Sequence, residues 1–194
     1  MINRRNLFLS FAGCFVPSLA LAETKAREPF SINREDREKV NPRFRRRKVK
    51  YPSTEAVGTI IIDTPKKQLF LILGNGEALR YGVGVGKDGF RWSGEATIQK
   101  KAKWPKWTPT EDQIKRKPYY AQWRSDYAPG PTNPLGARAL YLFQNGVDTQ
   151  YRIHGTNEPD TIGRKVSSGC LRMINYDIVD LYDRIAIGAK VIVL

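Results

Sequence analysis

The sequence predicts a mainly β fold: a curved β-sheet sandwich with one short C-terminal helix and a long loop. Three observations lead to this prediction. Short β-rich runs follow one another through most of the 194 residues, separated by turn signals such as Asn75-Gly76 and Asn145-Gly146. Only one stretch, close to the C-terminus, has a clear helical period. A hydrophobic content of 41% is enough for a packed core, so we expect one globular domain with appendages.

The first 22 residues predict an export signal. Arg4 and Arg5 precede an apolar run, and Ala22 closes an Ala-Leu-Ala cleavage site. The paired arginines fit either the general secretory (Sec) or the twin-arginine route. We therefore expect an exported, periplasmic protein that loses residues 1–22, and we do not expect a lipoprotein anchor at Cys14.

Residues 23–54 are predicted to form a basic, flexible tether. The segment is rich in charged residues and has no hydrophobic period. It includes a cluster of cations between Arg43 and Lys48, which could adhere to an anionic membrane or wall surface. A solvated linker without a partner is the alternative.

Residues 55–194 are expected to form the folded domain, which begins with a β-meander. The β-rich runs 59–62 and 68–73 are joined by a Pro-Lys-Lys turn, and a further strand leads to residue 86. Residues 91–130 are rich in tryptophan, proline and lysine without a period, and they predict the long loop.

The second half of the domain predicts three more strands and the helix. Short strands at 139–143 and 151–153 surround the second turn signal, and residues 190–194 form the last strand. Asn175 is expected to cap the helix. Four apolar residues then recur with helical spacing and form one face, namely Ile178, Leu181, Tyr182 and Ile185.

Several binding functions are not expected from this sequence. The run from Gly84 to Gly89 matches G-x-G-x-x-G, but a β-like stretch follows it instead of the helix that a dinucleotide site requires. One histidine and two cysteines are too few for a typical zinc site. The net charge of +14 suits an anionic partner, and an exported protein rarely meets nucleic acid, so we expect a membrane or wall polymer.

Catalytic chemistry is indicated by the only histidine, His154, and by Cys170. A thiolate is a nucleophile, and an imidazole can take its proton and later return it to a leaving amine. The backbone N–H groups of Ser168, Gly169 and Cys170 could converge on an oxyanion, and the Gly155 carbonyl could fix the histidine tautomer. The residue types alone leave open that a buried cysteine and a structural histidine share one stretch.

The wording of the motif resembles the L,D-transpeptidase catalytic domain (YkuD-type), whose signature is HG(T/S) followed by (S/T)-(H/S)-G-C-(I/L)-(R/N). This chain has His154-Gly155-Thr156 and then Ser167 to Arg172 as Ser-Ser-Gly-Cys-Leu-Arg. The run from Pro131 to Leu142 and the closing segment are also typical of the domain. The resemblance covers roughly residues 55–194. Ser168 replaces the histidine that many members have two residues before the cysteine.

The resemblance implies a fold and a set of roles. The fold is a curved β-sheet sandwich of the L,D-transpeptidase type, with the long loop near the active site. Cys170 would be the nucleophile, His154 the base and the Gly155 carbonyl its orienter. Three residues would bind substrate: Arg172, Tyr141 and Asn133.

The resemblance also implies a reaction, acyl exchange on peptidoglycan tetrapeptide stems through a Cys170 thioester, without a cofactor or a metal. The acceptor amine could belong to a second stem, a lipoprotein or a free D-amino acid. Two alternatives remain at this stage. The protein could be an L,D-carboxypeptidase that hydrolyses the same bond, or a non-catalytic cell-wall-binding protein that keeps the fold.

Overall fold

A computed structural model of the chain describes residues 27–87, 92–167 and 169–194. The predicted export signal lies outside these residues, so its assignment stays a prediction. The described part is mainly β, as predicted. Its strands in chain order are β1 (Arg47–Lys50), β2 (Ile60–Asp63), β3 (Gln68–Gly74), β4 (Glu77–Gly82), β5 (Val85–Gly86), β6 (Gly94–Lys103), β7 (Arg138–Gln144), β8 (Val147–His154), β9 (Lys165–Ser167), β10 (Leu171–Arg172) and β11 (Lys190–Val193).

The helices of the described residues are short. Two are α-helices, α1 (Glu111–Arg116) and α2 (Asn175–Arg184). Short 3-10 helices lie at Glu35–Arg37, Pro42–Phe44, Pro118–Trp123 and Pro159–Thr161. None of these helices is long and apolar enough to span a membrane.

Nine of the described strands form one mixed sheet in the order β1-β4-β3-β2-β11-β6-β7-β8-β10. Strand β11 runs parallel to β2, and β10 runs parallel to β8. The other neighbours in this sheet are antiparallel. Strands β5 and β9 pair in parallel as a separate ladder. The two predicted turns connect β3 to β4 and β7 to β8 as hairpins.

Residues far apart in strand order share one core. Leu69 of β3 and Ile153 of β8 are both fully buried in the same cluster. Five strand spacings separate them, which would be about 24 Å in a flat sheet at about 4.8 Å per strand. Ile178 and Leu181 of α2 complete this cluster. The core of the sheet therefore packs against the apolar face of α2 that the sequence predicts.

The predicted loop 91–130 is wrong in two parts: β6 lies at its start and pairs with both β11 and β7, and α1 lies further along it, so the chain has a second α-helix that the sequence did not predict. Ala96 and Ile98 of this strand point into the core, with 4% and 0% of their surfaces exposed. Beyond them the strand has a bulge and turns polar, with three lysines in its last four residues. The two inward residues are too short a signal to predict a ten-residue strand.

The predicted flexible tether is also corrected for the described residues from 27 on. Val40 and Phe44 are buried in a small cluster with Ile162 and Ile174, and β1 pairs with β4. The side chain of Glu28 pairs with the buried guanidinium of Arg138. Two isolated apolar residues among many charges give no period, which is why the sequence predicts a linker here.

The predicted adhesive cluster is partly used inside the chain. Arg46 pairs with Asp180 at 2.7 Å, and Lys48 pairs with Glu77 at 2.6 Å. Arg45 donates to the backbone at 3.1 Å. Fewer charges of this cluster therefore face an external surface than the sequence predicts.

Candidate active site

His154 ends strand β8 and is nearly enclosed, with 5% of its surface exposed. Its Nδ1 atom lies 2.6 Å from the carbonyl oxygen of Gly155. A carbonyl can only accept a hydrogen bond, so Nδ1 carries the ring proton and the lone pair of Nε2 is left available. In this tautomer the imidazole can accept a proton at Nε2.

Asn175 holds the backbone beside His154 in place through hydrogen bonds. The sequence predicts that Asn175 caps α2, but the N-cap residue is Ile174. The Asn175 Oδ1 atom instead accepts the N–H of Ala137 at 2.9 Å, and its Nδ2 donates to the carbonyl of Thr156 at 3.0 Å. One side chain thus ties the start of β7 to the segment that follows the histidine.

Two glycines leave space for the side chain of Asn175. A Cβ atom on Gly155 would lie 2.2 Å from Asn175 Oδ1, and a Cβ on Gly136 would lie equally close. Gly136 also has φ of +62°, a conformation that favours glycine. Gly155 therefore serves the site twice, through its carbonyl and through its lack of a side chain.

Cys170 lies between β9 and β10, after a turn in which Gly169 has φ of +119°. The Ser167 hydroxyl accepts the N–H of Gly169 at 3.2 Å and donates to the carbonyl of Cys170 at 2.5 Å. The N–H of Gly169 is therefore engaged inside the turn, which corrects its prediction as an oxyanion donor. Ser168 lies outside the described residues, so the N–H groups of Ser168 and Cys170 both remain predicted oxyanion donors.

Strand pairing brings the histidine and the cysteine together. The parallel ladder of β8 and β10 sets Arg172 opposite His154, and the N–H of Met173 donates to the His154 carbonyl at 2.8 Å. Cys170 immediately precedes this ladder. His154 and Cys170 both line one cleft with a volume of about 280 Å³.

Burial keeps the thiol neutral at ordinary pH. Cys170 is partly exposed in the cleft, and its Sγ lies 3.8 Å from the carbonyl oxygen of Gln150. Burial raises the pKa of Cys170, against a backbone hydrogen bond from Arg152 and the charges of Arg152 and Arg172.

Burial also keeps the imidazole neutral. It lowers the pKa of His154 to about 3, with a smaller contribution from the charge of Arg172, while the Gly155 carbonyl acts in the opposite direction. A neutral thiol and a neutral imidazole are therefore the resting pair. Proton transfer to Nε2 would accompany the attack of sulfur on a carbonyl.

Of the three predicted substrate-binding residues, the structure brings Arg172 to the cleft. Its guanidinium pairs with Glu158 at 2.7 Å, so a substrate carboxylate would have to compete with this partner or share the cation. Tyr141 does not line the cleft. Its ring lies against the guanidinium of Arg152, 4.4 Å from the ring centre, on the outer face of β7.

Asn133 is fully buried and does not line the cleft either. Its Nδ2 donates to three backbone carbonyls at 3.0 to 3.3 Å, and its Oδ1 accepts the N–H of Leu135 at 2.8 Å. Its polar atoms organise the loop before β7, so the prediction that Asn133 binds substrate is corrected.

Sequence reasoning missed most of the cleft wall. The resemblance implied that the long loop lies near the active site, without showing which of its side chains face inward. Apart from His154, Cys170 and Arg172, the lining residues are Lys87, Trp107, Gln113, Arg116, Lys117, Tyr120, Pro134, Leu135, Val166 and Ser167.

Two other possible sites can be placed. Among the described residues, no three His, Cys, Asp or Glu side chains are grouped so that they could hold a metal ion. The described part of the glycine run lies at β5, where a Cβ on Gly84 would lie 3.0 Å from the carbonyl oxygen of Thr161. Gly84 is thus packed against neighbouring backbone, and the next element of the described residues after β5 is strand β6.

Comparison with known protein families gives one match over most of the chain. Residues 58–193 match the family model described as the L,D-transpeptidase catalytic domain (YkuD). A curated protein of Bacillus subtilis, the putative L,D-transpeptidase YqjB, is 33% identical over 136 residues, which cover 69% of each chain. The chain spans only about half the length of two other curated relatives, 49% and 45%.

Solved structures give the same fold. A Brucella melitensis structure described as a probable carnitine operon oxidoreductase (caia) is 46% identical and covers 83% of this chain and 99% of its own, with a TM-score of 0.56. An L,D-transpeptidase from Mycobacterium smegmatis covers 70% of this chain and 58% of its own, with a TM-score of 0.53. Its identity of 16% supports the fold alone.

Proposed function

The chain belongs to the L,D-transpeptidase catalytic domain family, and from this premise we propose that it is an L,D-transpeptidase acting on peptidoglycan tetrapeptide stems through Cys170. The observation that carries the proposal is that His154 and Cys170 line one cleft. The histidine is also held in the tautomer that a general base requires.

In the first half of the reaction, the Cys170 sulfur attacks the amide carbonyl between the L-centre of the third stem residue and the terminal D-Ala. His154 Nε2 takes the thiol proton as the S–C bond forms. The N–H of Cys170 donates to the oxyanion. When the C–N bond breaks, the imidazolium gives its proton to the amine of the departing D-Ala, and a thioester remains.

In the second half, an acceptor amine attacks the thioester carbonyl. His154 takes a proton from the attacking nitrogen, the C–S bond breaks, and the proton returns to sulfur. A second stem would give a 3→3 cross-link, and a lipoprotein lysine or a free D-amino acid would give attachment or exchange. The new amide replaces the old one, so no external energy source is needed.

The export signal and the basic surface support a periplasmic place for this reaction. Residues 1–22 have the charged, apolar and small-residue regions of an export signal. The remaining exposed cations of the N-terminal segment suit an anionic wall or membrane surface.

The Brucella protein is named as a probable oxidoreductase, which indicates redox chemistry for that protein. In this chain the run that matches a dinucleotide fingerprint contains strand β5, and strand β6 is the next element of the described residues. Among these residues the run offers no helix N-terminus, where dinucleotide-binding folds hold the phosphate. No specific observation favours that function over acyl transfer.

Incubation of the protein with purified disaccharide-tetrapeptides, followed by mass spectrometry, tests the proposal. Cross-linked dimers together with released D-Ala are the expected products. Release of D-Ala without dimers, even when D-amino acids are added, would identify a carboxypeptidase. Unchanged tetrapeptides that nevertheless bind to the protein would identify a non-catalytic wall-binding protein and would contradict the proposal.

A further inference from the structure

The cleft beside Cys170 is lined by cations, and none of the described residues that line it is a carboxylate. Besides Arg172, whose partner is Glu158, three basic side chains contribute to its wall: Lys87, Arg116 and Lys117. They come from different parts of the chain, Lys87 following β5 and the other two lying at the end of α1. Such a wall attracts anionic ligands, because a cleft lined by one sign of charge focuses the field.

The segment that presents Arg116 and Lys117 is held in a defined place. Helix α1 begins with a capping box between Thr110 and Gln113, and Ile114 is buried beneath it. The bond from the N–H of Lys117 to the Gln113 carbonyl, at 2.9 Å, continues the turn beyond the helix. Packed structure therefore holds the backbone that carries Arg116 and Lys117, while their side chains are exposed.

An aromatic contact brings the same segment against the cleft. The ring of Trp107, 8% exposed, packs edge-on against Tyr120 at 5.1 Å, and both rings line the cleft. The Lys117 ammonium lies 5.3 Å from the Tyr120 ring centre. This places the Lys117 charge beside a wall that a bound peptide would contact.

The helix dipole does not explain why these three basic side chains line the cleft. Basic residues are favourable at the C-terminal turn of a helix, and Lys115 and Arg116 both lie there in α1. Of these two only Arg116 lines the cleft. Lys115 is exposed and lies 3.6 Å from Asp112. Lys87 belongs to no helix, yet it faces the same space.

We propose that Lys87, Arg116 and Lys117 bind carboxylates of the acyl donor and make the enzyme select peptides whose side-chain carboxyl groups are free over the same peptides with these groups amidated. This inference rests on the proposed function, since it names the form of the stem peptide that this cleft accepts. It adds recognition residues outside the family signature to the one cation, Arg172, that the signature supplies.

The test compares two synthetic tetrapeptides that end in D-Ala and differ only in carrying side-chain carboxylates or carboxamides. We expect kcat/KM to be roughly tenfold higher for the carboxylate peptide, since partly exposed charge pairs each contribute modestly. The preference should fall as salt is raised. The double variant Arg116→Gln, Lys117→Gln should lose most of this preference, because its kcat/KM for the carboxylate peptide falls toward its kcat/KM for the carboxamide peptide. Lys115→Gln, on the same helix, is the matched control and should keep it.

A binding measurement tests the preference without turnover. Tryptophan fluorescence can report the binding of both peptides, because Trp107 lines the cleft. Equal binding and equal turnover of the two peptides, or an unchanged preference in the double variant, would overturn the carboxylate inference alone. A binding preference that is lost in the double variant, in a protein that turns over neither peptide, would support the inference and overturn the proposed function.

Discussion

The Nδ1 atom of His154 and the carbonyl oxygen of Gly155 are 2.6 Å apart, so adjacent residues fix the tautomer of the only imidazole in the chain. The carbonyl that orients the ring belongs to the residue whose missing side chain admits Asn175. Gly155 thus contributes both to the orientation of the base and to the packing at the ends of the strands. Several measurable consequences follow from this arrangement and from the burial of its neighbours.

The first prediction concerns the reactivity of the thiol. Since burial raises the pKa of Cys170 and keeps His154 neutral, no thiolate–imidazolium pair should exist in the resting protein. Iodoacetamide alkylates the thiolate, so the rate of Cys170 alkylation, measured by peptide mass spectrometry, should increase with pH. We expect the midpoint of this increase to lie at a higher pH than the midpoint for free glutathione measured in parallel. A midpoint below that of glutathione, or a shoulder near pH 6.5, would show a preformed ion pair instead.

The second prediction concerns Asn175 as a positioning residue. Asn175→Ala removes the partner of the buried Ala137 N–H and of the Thr156 carbonyl. Because each buried polar group left without a partner costs about 1–3 kcal/mol, we expect a loss of about 2–4 kcal/mol in urea unfolding.

The same variant should lower kcat more than it raises KM, because the segment after His154 loses its support. Asn157→Ala, which removes an exposed bond to the Thr132 carbonyl, is the matched control and should change stability by less than about 1 kcal/mol. A normal kcat in a destabilised Asn175→Ala protein would show that Asn175 stabilises the fold without positioning His154.

The third prediction concerns the N-terminal segment. Glu28 accepts hydrogen bonds from Arg138, which is 1% exposed, and from Trp104 Nε1 at 2.7 Å. The Arg138 hydrogen bond lowers the pKa of Glu28, so this contribution to stability is present above the ordinary pKa of 4.5 and is lost at lower pH.

Glu28→Gln should therefore destabilise the protein at pH 7 by about 1–2 kcal/mol, less than a fully buried pair because Glu28 is partly exposed. The difference should shrink toward pH 3. Glu35→Gln, at an exposed position of the same segment, should have little effect. An unchanged melting temperature for Glu28→Gln would support the flexible tether that the sequence predicts.

The fourth prediction concerns Asp177, which is 3% exposed and has Arg46 3.6 Å away. Burial raises the pKa of Asp177 to about 6, above its ordinary value of 3.8. The folded state thus holds the proton more tightly than the unfolded state does. Its contribution to stability is present below pH 3.8 and is lost as pH rises through about 6.

Asp177→Asn cannot ionise, so its stability relative to the natural protein should increase between pH 4 and pH 8, by up to about 3 kcal/mol. Chemical unfolding at both pH values measures this change. Asp112→Asn, at an exposed carboxylate on α1, should show no comparable change. A difference for Asp177→Asn that stays constant with pH would contradict the raised pKa.

Local signals were enough to predict much of the fold. Asn75 and Gly76 both have positive φ, as a two-residue hairpin turn requires, and the turn forms where it was predicted. The apolar face of α2 is buried as its spacing indicates. The β-like stretch after Gly89 was not extended to the whole of strand β6, because the strand's partners, β7 and β11, both come much later in the chain.

The candidate site could be predicted only where residues lie close in sequence. His154, Gly155 and Cys170 are found through a motif. Asn133 was misassigned because its partners are backbone carbonyls of its own loop, which composition does not reveal. The cations of the cleft come from separate segments, so their convergence depends on the tertiary fold.

Detection of an acyl-enzyme on Cys170 tests the central claim most directly. The protein is mixed with disaccharide-tetrapeptide, quenched in acid after a short time, and its intact mass and peptides are measured. We expect an added mass equal to the donor minus D-Ala, located on Cys170 and absent in Cys170→Ala. In His154→Gln the adduct should form about 10²–10⁴-fold more slowly, the usual contribution of a general base. Cross-linked products without any adduct on Cys170, or an adduct that forms equally fast without His154, would contradict the account.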